Sequence, residues 1–86
     1  MAEMTTVVVH VSSHDGRAIA DALVVVEEGT APYPEMAHVT GAEGGVRLVL
    51  PAGRFRIGVT DTATGHTSST AVTTQPGDPA EVYVVI

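Results

Sequence analysis

Apolar side chains recur at every second position in five separate segments of this chain, and that spacing points to strands. Val7, Val9 and Val11 fall on one side of a pleated ribbon, with Thr6, Val8, His10 and Ser12 on the other. The alternation returns in Ala22/Val24/Val26, Val46/Leu48/Leu50, Phe55/Ile57/Val59 and Val82/Val84/Ile86. Val and Thr dominate these segments; such side chains lose rotamer freedom in a helix and pack well on a pleated surface. No window places apolar residues at i, i+3, i+4 and i+7 behind a capping residue, so little helix is expected.

Glycine and proline punctuate the pattern. A first strand over residues 5–13 ends at the turn His14-Asp15-Gly16-Arg17, and Ile19 plugs the core before a second strand over 22–27. EGTAPYPE, residues 28–35, holds two prolines that withdraw backbone donors. It reads as a surface connection that crosses between sheets. A short strand over 36–40 and a turn over 40–45 follow. Pro51-Ala52-Gly53 then reads as a tight reversal joining 46–50 to 54–59 in a hairpin. A turn over 61–65 precedes a Thr/Ser-rich strand over 66–74 that suits a sheet edge, and residues 81–86 close the domain. Seven short strands imply an all-β, Greek-key-type sandwich filling residues 1–86 as one domain.

Charge and composition narrow the function. Eighty-six residues supply one core, and without cysteine neither a disulfide framework nor a thiolate metal site is available. Ten acidic residues oppose four arginines, Arg17, Arg47, Arg54 and Arg56, for a net charge of -6. A nucleic-acid or anionic-membrane binder needs a basic stripe that is missing here, so neither partner is expected. The opening MAEMTTVVVHV lacks the basic and apolar regions of a secretory signal, which gives a cytoplasmic expectation.

The turn and strand residues resemble the carboxypeptidase-regulatory-like domain of the transthyretin-like, or prealbumin-like, group. The opening pattern is met by Val7, Val9, Val11, Gly16, Arg17, Ile19, Ala22 and Val24, with Ala18 and Asp21 where that family has Pro and Gly. The central pattern falls on Thr40, Glu43-Gly44, Val46, Leu48, Leu50, Pro51, Gly53, Phe55, Ile57 and Val59. The family's later Gly-Tyr pair corresponds to Gly65-His66. The resemblance covers nearly the whole chain and implies a sandwich of seven or eight strands. Its motifs are residues that make the fold, and members serve as accessory modules, adhesion repeats and carriers, so it implies little about function.

One branch of the group, the 5-hydroxyisourate hydrolases, is catalytic. Its first-strand His resembles His10, but the Arg that follows its acidic-Gly turn corresponds to Gly45, which cannot hold an anion. Its Tyr-Arg-Gly-Ser tail has no counterpart before Ile86. Arg47, two residues on and on the same strand face as Gly45, is a partial substitute only. No enzymatic activity and no cofactor are expected.

His10, His14, His38 and His66 invite a metal hypothesis, yet no dense ligand motif joins them and no metal site is assigned. Glu27, Glu28 and Glu35 form an acidic cluster without the alternating ligands of a calcium loop. Tyr33, between two prolines, suits either an interface anchor or a cap over the open end of the sandwich.

The strongest functional feature is an excess of apolar side chains on faces that should look outward. Val8, Val25, Val49 and Val85 with Tyr83, and Leu23 beside them, alternate with the core set. Together with Tyr33 they are the candidate interface residues of a module that binds a protein partner or itself, as a homodimer. The alternative is a small-ligand or metal-binding protein whose site lies between subunits and is lined by His10, Arg47 and Tyr83. The low-charge segment Thr67–Thr74 also offers an edge for strand addition.

Overall fold

A computed structural model describes residues 4–33 and 36–86. Seven strands form in the order β1 (Met4–Ser12), β2 (Leu23–Gly29), β3 (His38–Val39), β4 (Gly45–Pro51), β5 (Gly53–Thr60), β6 (Thr67–Thr74) and β7 (Ala80–Val85). They build a three-stranded sheet, β4-β1-β7, and a four-stranded sheet, β3-β2-β5-β6. The all-β, two-sheet sandwich expected from the alternation is present, and β6 is an edge strand of the larger sheet.

Strand β1 is the middle of the smaller sheet. It runs antiparallel to β4 and parallel to β7, so the chain's first and last strands lie side by side. Its inward valines, Val7, Val9 and Val11, are buried, as are Val24 and Val26 of β2, Leu48 and Leu50 of β4, Phe55, Ile57 and Val59 of β5, and Val82 and Val84 of β7. The core is therefore the set marked by the period-two pattern, with Val46 and Ile86 half-buried at its margin.

Two connections differ from the sequence expectation. Residues 46–50 and 54–59 do not form a hairpin: β4 pairs with β1, whereas β5 pairs with β2 and β6. Pro51-Ala52-Gly53 carries the chain from one layer to the other, so Leu48 and Leu50 meet Phe55 and Ile57 across the core rather than beside them. Alternation specifies which face a residue takes and leaves its strand partner open. Gly53 holds the corner at φ 154°, and a Cβ there would sit 2.7 Å from the Thr30 hydroxyl. The segment after β2, expected to cross between sheets, instead returns to β3 in the same sheet. Its Pro34 and Glu35 lie outside the described residues.

Buried polar groups tie the turns to the core. The Thr40 hydroxyl donates to the Ile19 carbonyl at 2.7 Å and accepts from the Ala22 amide at 2.9 Å, pinning the passage from β1 to β2. Thr74 donates to the Pro51 carbonyl at 2.7 Å and secures the crossing corner against β6. Thr5 donates to the Asp78 carbonyl at 3.0 Å, fixing the turn that leads into β7. Each hydroxyl is buried with its partner in place, which avoids the cost of an unsatisfied donor.

At the open end, the Phe55 ring lies against Gly29 so closely that a methyl group there would overlap it. Tyr33 stands edge-on to Phe55, ring centroids 6.4 Å apart, and donates to the Glu27 carbonyl at 3.2 Å. A bulge between Val26 and Glu28 resets the register of β2 against β5 and leaves Glu27 and Glu28 both exposed.

Asp21, which stands where the resembled family carries Gly, has φ 60°. Only glycine takes that left-handed geometry without steric cost. Replacing Asp21→Gly is expected to raise unfolding stability by about 0.5–1 kcal/mol. Replacing Gly29→Ala should lower it by about 1–3 kcal/mol through overpacking against Phe55. Urea denaturation of both variants checks these opposite signs.

Candidate functional site

The candidate site is the outer face of the three-stranded sheet, which no other strand among the described residues covers. Strand register determines what lies across it. One row reads Arg47 of β4, Val8 of β1 and Glu81 of β7; the next reads Gly45, His10 and Tyr83. Thr6 pairs with Val49 at one end of the face and Ser12 with Val85 at the other.

Large apolar groups remain in solvent here. Tyr83 is 70% exposed, Val49 51% and Val85 47%. These are residues that a two-layer sandwich has no internal reason to make apolar, because each sheet already buries its other face.

His10 organises the centre. Its ring stacks on Tyr83, centroids 4.7 Å apart and planes 13° from parallel. Its Nε2–H donates to Glu81 Oε1 at 3.2 Å, a tautomer set by a carboxylate that can only accept. Stack and hydrogen bond together fix the orientation of the imidazole between Tyr83 and Glu81. Arg47 makes no ion pair among the described residues, so its guanidinium is available to a partner.

On the β4 side, an open groove of about 540 Å³ lies beside Gly45, lined by Val8, His10, Gly41, Glu43, Val46 and Arg47. The groove exists because two glycines, Gly41 and Gly45, put backbone where side chains would otherwise stand.

The structure brings together Val8, Val49, Tyr83 and Val85 from the expected interface set, and His10, Arg47 and Tyr83 from the expected ligand set, all on this one face. Val25 lies elsewhere: it is on the outer face of the four-stranded sheet, opposite Gly58 and beside Glu27. Tyr33 is half-buried over the core, packed on Phe55.

The four histidines are dispersed over β1, the turn after it, β3 and the residue before β6. Among the described residues, no three His, Asp or Glu side chains converge on a common point. Glu28 meets Arg56, Nε to Oε1 at 3.4 Å, and Glu35 of the acidic cluster is outside the described residues. In the turn after β1, the Ser13 hydroxyl donates to the Asp15 carboxylate and, aided by the Arg17 charge, holds its pKa below the ordinary value.

Two residues of the face were not singled out from the sequence as parts of a site. Glu81 acquires its role through the parallel pairing of β1 with β7, 71 positions away from His10 along the chain. Gly45 drew notice only for lacking an arginine, whereas its position shapes the groove.

No protein-family model matches the chain, and no curated protein is significantly similar to it in sequence.

The stacked pair makes a direct spectroscopic prediction. Tyr83 shields the His10 ring protons, so Tyr83→Leu should move their NMR resonances downfield while leaving those of His38 in place. Unchanged His10 shifts would show that the stack is absent in solution.

Proposed function

We propose that this chain is a non-enzymatic interaction module that self-associates through the outer face of its three-stranded sheet. The single observation carrying the proposal is that Val8, Val49, Tyr83 and Val85 all look outward from one sheet face, on either side of His10. Burying the exposed half of a valine contributes about 1 kcal/mol, and an aromatic ring more, before the cost of association is subtracted. Several such groups on one face favour docking, whereas scattered ones would not.

We also assign the sandwich to the transthyretin-like kind. Support comes from the match of turn residues, from a first strand central to its sheet, and from the left-handed geometry of Asp21 where the resembled pattern has Gly.

A second reading, a small-ligand site between subunits, is favoured by one feature: His10 and Arg47 both line the groove beside Gly45. Native mass spectrometry of the purified protein separates the two, since a carrier would show a small adduct on its dimer.

The interaction reading is tested by sedimentation across a concentration series. The wild-type protein should pass from monomer to dimer between about 10 and 1,000 micromolar, as suits a small interface. Val49→Glu with Val85→Glu should hold it monomeric, and Val25→Glu on the opposite sheet should leave association unchanged. A wild-type monomer throughout the range contradicts the proposal.

A further inference from the structure

Charge and shape on this face differ between its two flanks: Arg47 and the groove lie on the β4 side, Glu81 and Tyr83 on the β7 side. Resting on the interaction reading above, we propose that the face docks a second copy of this chain about a two-fold axis running along β1, with Arg47 of each copy meeting Glu81 of the other.

The face is self-complementary in one orientation. Across the sheet, the Val8 row runs positive, apolar, negative, and the His10 row runs bare, imidazole, large ring. A two-fold axis between two such faces and along β1 exchanges the flanks, placing β4 of one copy over β7 of the other. Arg47 then faces Glu81 twice, and Tyr83 of each copy lies over Gly45 of its neighbour. Val8 packs on Val8, and His10 on His10, at the axis.

Shape agrees with charge. The groove beside Gly45 is an open seat of about 540 Å³ on the β4 flank, and Tyr83, 70% exposed, is the projecting group on the β7 flank. A two-fold axis across the strands would instead set β4 over β4 and β7 over β7. The order of the rows would also reverse, so Arg47 would face only Gly45, Arg47 or Val49 of the second β4 and find no carboxylate there, and Tyr83 would stand over the second β7, away from the groove beside Gly45.

The reach is adequate. Neighbouring strands lie about 4.8 Å apart and packed sheets about 10 Å apart, distances that an arginine and a glutamate span from facing strands. Glu81 uses Oε1 for His10 and keeps Oε2 for the arginine of the second copy. Arg47 is exposed and has no ion-pair partner among the described residues, as a group awaiting one should be. Three strands of about six residues present a footprint of only about 14 by 20 Å, which suits a weak, reversible dimer.

Exchanging the charges tests the geometry. Arg47→Glu alone and Glu81→Arg alone each turn two attractive pairs into two repulsive ones, and each should weaken dimerisation about tenfold or more at low salt. An equimolar mixture of the two variants restores both pairs and should dimerise as a heterodimer at close to wild-type strength. The double variant R47E/E81R should do so with itself.

Gly45→Leu gives an independent arm. Its new Cβ meets nothing closer than the Val9 carbonyl at 4.0 Å, so the monomer keeps its Tm while the seat for Tyr83 is filled and the dimer is lost. Sedimentation and native mass spectrometry of the mixtures read all of these. Single variants that weaken but do not complement each other overturn the two-fold pairing and leave the face as the interface. Single variants that dimerise as the wild type does also overturn it. Failure of V49E/V85E to disrupt association removes the underlying reading as well.

Discussion

Strand β1 carries two obligations at once, and the rest of the molecule is arranged around them. Its inward valines, Val7, Val9 and Val11, are buried and form the floor of the core, while backbone pairing with β4 on one side and β7 on the other leaves it no free edge. A strand bonded on both sides and buried on one face has a single register, because slipping by one residue would send Val7, Val9 and Val11 into solvent and His10 and Ser12 into the core. That fixed register is also what aligns Arg47 with Glu81 and Gly45 with Tyr83 on the opposite side.

The turns serve the same frame. Thr40, Thr74 and Thr5 each place a hydroxyl where the chain leaves or enters a strand, and each satisfies a carbonyl that burial would otherwise strand. The Pro51–Gly53 corner moves the chain between layers and lets Leu50 and Phe55 fill the interior from opposite sheets. Gly29 and Tyr33 close the end of the interior by clasping the Phe55 ring. With the inner faces so completed, Val49 and Val85 on the outer face of the smaller sheet add nothing to the core and stand exposed.

The interior was legible in the sequence because period-two alternation is a local signal: each inward residue is marked by its own neighbours. Partnership was not legible. Leu50 and Phe55 alternate correctly on either side of a Pro-x-Gly turn, and nothing in that stretch distinguishes a hairpin from a corner between layers. The acidic partner of His10 was hidden for the same reason, since the parallel pairing of β1 with β7 joins the two ends of the chain. His10, Arg47 and Tyr83 were recognisable as a group with outward side chains. That Val25 looks away from them follows only once β2 is assigned to the other sheet.

The central claim is that the outer face of the β4-β1-β7 sheet is covered in solution while the outer face of the other sheet stays open. Methyl NMR with a soluble paramagnetic probe measures this directly. With rising protein concentration, the methyl groups of Val8, Val49 and Val85 should become shielded from the probe while Val25 keeps its exposure. Equal exposure of both faces at every concentration, or shielding of Val25 instead, would contradict the account.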